Sequence, residues 1–215
     1  TENDKKRMYS VYRKSCFVMN SLAFICCAGF IACIQDFIYI VFGSNFVLSF
    51  SCVLILVFSM LIYLLDIPII SVQNAMGLHR CDAGVMIIQA VLAIACGYGA
   101  GKVWGMEGIL LGLTIPTVIF TFIHKGIVIS KVAFEVTSYK YLKDMGSDLI
   151  KGIVIIGVIS AICNCIPAWN PVIAMILKGI LSVIISGILI IAFSFKSEYF
   201  KETLAMLMRV LKLQK

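Results

Sequence analysis

Charge is scarce in this chain. Asp, Glu, Lys and Arg make up 13% of its 215 residues, 61% are hydrophobic, and the mean hydropathy is +1.05. A soluble domain needs a polar surface that this composition cannot supply. Histidine is scarcer: there are 2, His79 and His124, far apart in sequence, and the acids are scattered singly. An enzyme needs a constellation of groups able to move protons, attack or hold a metal, and no HExxH, GxSxG or phosphate-loop pattern occurs. Catalysis is therefore not expected. Alternation with a period of two is missing from the apolar stretches, which excludes a transmembrane barrel. The 9 cysteines show no Cys/His grouping at zinc spacing, and Cys163-Asn164-Cys165 is not spaced as a redox pair. They read as small apolar packing residues, and no metal or bound cofactor is expected. No cleavable signal peptide is expected, since the first fourteen residues read as polar and basic. The chain opens on Thr1 rather than Met, and a fragment is expected.

What is present is a set of long apolar stretches. About 20 residues at ~1.5 Å each cross the ~30 Å hydrocarbon layer, and six stretches have that length. They run over about 16–41, 46–77, 83–101, 106–129, 148–166 and 171–195. Backbone polar groups in lipid must pair within their own segment, so these are expected to be helices. The expected fold is all-α and polytopic, one lobe of six transmembrane helices.

The basic residues give an orientation. Of the 18 Lys and Arg, all but Lys102 and Lys178 fall before the first stretch, in every second gap or at the stretch ends beside it, or after the last. Basic residues are retained on the cytoplasmic side, so both termini are expected inside, in a multi-pass protein of a cell membrane. The net charge of +7 is explained by membrane edges and anionic headgroups, and nucleic acid is not an expected partner.

Small residues predict packing. Gly97, Gly101 and Gly105 recur at intervals of four, as do Gly108 and Gly112, which lets helix backbones approach closely. The third and fourth spans are expected to form an antiparallel hairpin, with Gly105 ending a helix. In the segment 196–215, Phe200, Leu204, Leu207 and Leu211 share a helical face, the pattern of an amphipathic tail lying in the inner interface. Tyr139, Leu142 and Met145 suggest a second, shorter interfacial helix.

Charged and amide side chains in or near the spans are the functional candidates, because such residues are costly in lipid. Asp66 precedes Ile67-Pro68, where the proline removes a backbone donor and kinks the helix. It reads either as a cation-coupling or gating carboxylate or as an interfacial one, since ~30 Å of helix separates it from Phe46. Lys178 lies about 10 Å into the layer beyond Pro171, and either snorkels to the outer headgroups or faces a water-filled cavity. Lys102 near Trp104 reads as an outer anchor or as part of a substrate path. Gln73 and Asn74 either bond neighbouring helices or contact a ligand, and Asp36 is expected to be interfacial. Asp82 and Asp148 open spans, where the helix dipole favours an acid.

Several segments, taken in order, resemble the second half of bacterial lipid-linked oligosaccharide flippases of the multidrug/oligosaccharidyl-lipid/polysaccharide exporter superfamily. They are Phe37-Ile38-Tyr39-Ile40-Val41-Phe42-Gly43-Ser44, Val72-Gln73-Asn74-Ala75-Met76-Gly77-Leu78, Trp104-Gly105-Met106-Glu107-Gly108-Ile109-Leu110-Leu111-Gly112, Ser138-Tyr139-Lys140-Tyr141-Leu142-Lys143 and Leu177-Lys178-Gly179. The resemblance implies a C-terminal six-helix lobe that works opposite an N-terminal lobe, or a second copy, around a central cavity. It also implies the substrate, an undecaprenyl-diphosphate-linked oligosaccharide for O-antigen or capsule, moved across the bacterial inner membrane beside the polysaccharide polymerase machinery. Lys178 would suit the diphosphate, with Lys102, Gln73 and Asn74 along the path. Asp66 would couple transport to a Na⁺ or H⁺ gradient. The alternatives are the lobe of a cation-coupled multidrug exporter of the same superfamily and a membrane scaffold that transports nothing.

Overall fold

A computed structural model describes residues 2–78, 83–134, 137–166 and 170–195. The described residues are helical throughout, apart from short turns, and contain no strand. The helices are α1 (Glu2–Phe42), α2 (Phe50–Met76), α3 (Ala83–Pro116), α4 (Gly126–Phe134), α5 (Ser138–Asn164) and α6 (Pro171–Ser194). A π-helical stretch, Thr117–Lys125, joins α3 to α4, and a single 3₁₀ turn, Ser44–Phe46, follows α1. Five helical segments are long and apolar enough to cross a membrane, as a multi-pass membrane protein requires: Arg7–Phe42, Phe50–Met76, Gly84–Phe134, Ser138–Asn164 and Pro171–Ser194. The expected interfacial tail, and the opening of the third span at Asp82, lie outside the described residues.

The longest segment is folded on itself. Gly105, at φ 59° and ψ −133°, breaks α3 with a backbone conformation that a side chain would strain. Its two arms then run back along each other. A Cβ on Gly112 would lie 2.4 Å from the Gly97 nitrogen, and one on Gly108 2.1 Å from the Ala100 carbonyl oxygen. Further along the same seam, Thr121 Oγ1 donates to Gln89 Oε1 at 2.8 Å. The glycine spacing thus corresponds to a backbone-to-backbone hairpin, with Gly105 as its reversal.

Local chemistry sets the ends of the other helices. Ser49 Oγ accepts the Cys52 amide at 3.2 Å, so α2 starts at Phe50 rather than near Phe46. Gly77, at φ 66°, closes α2 in the left-handed conformation. Asn170 Oδ1 accepts the Val172 amide at 3.0 Å, and Pro171 occupies the first turn of α6, where its missing N–H costs nothing. Two helices extend beyond the apolar stretches: α1 begins at Glu2 and α5 at Ser138. Tyr139, Leu142 and Met145 consequently belong to the first turns of α5 and not to a separate interfacial helix. Tyr141 and Met145 turn into the core there, while Tyr139 stays exposed.

The core sits where α1, α2, α4 and α5 converge. Leu61, Ile62, Ile69, Ile129, Ile155 and Ile159 are fully buried. At one end of this core Tyr12 stacks on Phe134 with centroids 4.9 Å apart, and Tyr9 meets the same ring edge-on at 5.3 Å. Helix α6 packs along α1 through small residues: Ser182 lies opposite Gly29, and Gly179 opposite Cys33. Outward faces carry Ile87, Ile94, Val103 and Ile173, all well exposed, as a lipid-facing surface requires.

Candidate functional site

The charged side chains inside the helical segments gather into three groups, each joining helices distant in sequence. The most deeply buried is Asp66 with Lys125. Lys125 Nζ donates to Asp66 Oδ2 at 3.1 Å, and the side chains are 6% and 1% exposed for Lys and Asp. Each comes from a helix with a proline in it or just before the stretch that carries it. Asp66 sits two residues before Pro68 in α2, and Lys125 ends the π-helical stretch that begins just after Pro116. A π-turn widens the helix and re-aims the side chains it carries. With α2 starting at Phe50, Asp66 lies about 24 Å along the helix, and its carboxylate is enclosed by protein. Lys125, read from sequence as one of the cytoplasmic flanking cations, is instead buried in the core.

The second group is at the opposite end of the lobe, the end with the Gly43 and Gly105 turns. Lys178 Nζ donates to Asp36 Oδ2 at 2.7 Å, with side chains 13% and 14% exposed. Lys178 therefore neither snorkels to headgroups nor stands unpaired in a cavity. Asp36, expected at the interface, is its counter-ion. The pair closes the tight α1–α6 seam at a level where Cys33 Sγ also contacts the Met175 carbonyl at 3.5 Å. On the same end, Ser49 Oγ donates to Glu107 Oε1 at 2.7 Å and ties the start of α2 to the hairpin.

The third group joins α1 to α5. Asp148 Oδ2 accepts from Arg13 Nη1 at 3.1 Å and from Asn20 Nδ2 at 3.1 Å, while its Oδ1 accepts from Lys151 Nζ at 3.0 Å. Asp144 accepts from the Tyr9 hydroxyl at 2.7 Å and lies 3.8 Å from Arg13 Nε. Asp148 does not open a helix as expected: it lies well beyond the first turn of α5, where the dipole acts, and its setting is explained by these partners.

The other sequence candidates scatter. Lys102 stands over the Tyr98 ring with its Nζ 4.4 Å from the centroid, near the Gly105 turn. Gln73 is buried in the last turns of α2 and makes contact there, as a residue bonding a neighbouring element would. Asn74 beside it is exposed, and its carbonyl accepts the Gly77 amide at 3.3 Å. The structure does not bring Lys178, Lys102, Gln73, Asn74 and Asp66 into one site. Sequence reasoning missed Lys125 as the partner of Asp66, and it passed over Asn20 and Arg13. One signal was available: Asp36 and Lys178 flank outer turns at comparable depth, so opposite charges were poised to meet.

Chemically, the first two groups neutralise charge and tie helices, and the third presents excess hydrogen-bonding capacity at a helix junction. Among the described residues, no cluster of His, Cys, Asp and Glu could hold a metal ion. No protein-family model, curated protein or solved structure matches the chain.

Proposed function

We propose that this chain is the C-terminal six-helix lobe of a flippase that moves undecaprenyl-diphosphate-linked oligosaccharide across the bacterial inner membrane by alternating access. Its termini lie in the cytoplasm, and an N-terminal lobe or a second copy completes the cavity. Five apolar helical segments, one of them doubled back at Gly105, supply material for six crossings. The ordered resemblance of five segments to such exporters supplies the substrate class, and no chemical step on the substrate is proposed.

The observation that carries the transport reading is the Asp66–Lys125 pair. An ion pair sealed in apolar protein, between a proline-containing helix and a π-helical stretch, is an expensive arrangement of the kind that transporters keep for coupling and gating. Protonation or cation binding at Asp66 would release Lys125 and loosen the α2 contact with the π-helical segment. In this reading the lipid tail stays in the bilayer while a polar cavity substitutes for water around the diphosphate and sugars.

The test is made in cells carrying the intact transporter. Loss of the gene is expected to lower surface polysaccharide and leave the lipid-linked repeat unit on the cytoplasmic leaflet. Normal surface polysaccharide would overturn the proposal. Reporter fusions at Ser44 and Lys140 test the topology independently and should report opposite faces.

One observation favours the scaffold reading. Both Asp66 and Lys178 are neutralised within the lobe, as charges with a purely architectural task would be. Full export by an intact transporter with Asp66, Lys125, Asp36 and Lys178 all replaced by apolar residues would establish it.

A further inference from the structure

The third charged group borders a cleft whose polar capacity is not used up within the lobe. The cleft lies between α1, α5 and α6 and has a volume of ≈ 50 Å³, room for a few heavy atoms. Arg13, Asn20, Ser21, Asp148, Lys151 and Ser194 line its polar side. Its apolar wall is built from aromatic and branched side chains, with Phe193 46% exposed at the rim. Polar and apolar walls meeting in one cleft suit a ligand with the same division.

Two features define the polar end of that ligand. Asn20 is 7% exposed, and its Nδ2 is committed to Asp148, yet its Oδ1 is buried with no hydrogen-bond partner among the described residues. A buried acceptor left in that state is costly, so the position calls for a donor. Lys151 spends one of its three ammonium donors on Asp148, and its side chain is 35% exposed, which leaves it donors to spare. An acceptor beside a cation asks for a hydrogen-bond donor and an anionic oxygen a few bonds apart.

We infer that this cleft is a binding site for a glycerophospholipid headgroup. The phosphate sits on Lys151 beside Arg13, the headgroup hydroxyl or ammonium donates to Asn20 Oδ1, and an acyl chain lies along Phe17 and Phe193. Phosphatidylglycerol and phosphatidylethanolamine carry both the phosphate and the donor. Phosphatidylcholine lacks the donor, and inorganic phosphate lacks the chain. The inference requires that the lobe sit in lipid. It does not require that the lobe transport anything, so it stands or falls separately from the flippase proposal.

The test is native mass spectrometry of the full chain in detergent, titrated with short-chain forms of the three lipids and with inorganic phosphate. Phosphatidylglycerol and phosphatidylethanolamine should be retained roughly tenfold more strongly than phosphatidylcholine, a difference of about 1.4 kcal/mol. Lys151→Gln, at a half-exposed position, should lower retention of both by a similar factor, and Asn20→Leu should erase the discrimination against phosphatidylcholine. A melting curve on each variant separates lost binding from lost folding. Equal retention of all three lipids would overturn the inference. So would a folded Lys151→Gln protein that binds as before, or phosphate alone competing as well as the lipids do.

Discussion

Lys125 and Asp66 meet 3.1 Å apart although 59 residues separate them, Asp66 two residues before Pro68 and Lys125 at the end of the π-helical stretch. Leaving the Lys125 charge alone in the core is costly, about 3–5 kcal/mol, whereas an apolar pair of similar volume can be nearly neutral. Asp66→Leu should therefore lower the melting temperature sharply in detergent, and the Asp66→Leu/Lys125→Met double variant should recover most of the loss. Export by the double variant then separates roles. A stable protein that no longer exports identifies coupling, and a stable protein that still exports identifies architecture.

The Asp36–Lys178 pair should behave as a clamp on the α1–α6 seam. Lys178→Ala is expected to destabilise through the stranded Asp36 and to reduce export of surface polysaccharide. In a double-mutant cycle with Asp36→Ala, the coupling energy should be about 1–3 kcal/mol. Additive single effects would mean that the 2.7 Å contact does no stabilising work.

Glycines along the hairpin should respond to substitution according to the space each one faces. Gly112→Ala must push a methyl group to within 2.4 Å of the Gly97 backbone, and should splay the arms at a cost of about 1–3 kcal/mol. Gly99→Ala lies in the opposite arm, two residues from Gly97, with nothing within 4 Å, and should be neutral or slightly stabilising. Thermal melts of the two variants compare seam and surface directly.

Tyr141 and Gly126 test a close contact. The Tyr141 hydroxyl is buried beside Tyr12 and presses towards Gly126, where a Cβ would have no room. Tyr141→Phe should change stability by no more than about 1 kcal/mol. Gly126→Ala should be destabilising, and less so in the Tyr141→Phe background. Four melting curves check the set.

Local patterns were legible in the sequence, and long-range pairings were not. The glycines at 97, 101, 105, 108 and 112 disclosed both the hairpin and its reversal, because close backbone approach and positive φ each demand a missing side chain. The end of α2 at Gly77 was legible for the same reason. Its start was displaced by a single capping hydroxyl, that of Ser49, in a run where apolar residues continue on both sides. Lys125 was misread because hydropathy places a lysine near a span end in the flanking water, and only the π-helical winding turns it inward. Asn20 gave no signal. A lone amide in an apolar run is silent until the helix packed against it, here α5 with Asp148, is known.

Helix α1 has 41 residues and so measures about 60 Å, roughly twice the thickness of a bilayer's hydrocarbon. Its opening turns must therefore project into water as an unbroken continuation of a membrane-embedded rod. That projecting end is gripped by Phe134, through its stack on Tyr12, and by Asp144 and Asp148. The grip makes it a stiff handle rather than a loose leader. Tilting the handle by a few degrees would swing the far tip of the rod, at Phe42, by several ångströms, so displacement on one side of the membrane is delivered mechanically to the other.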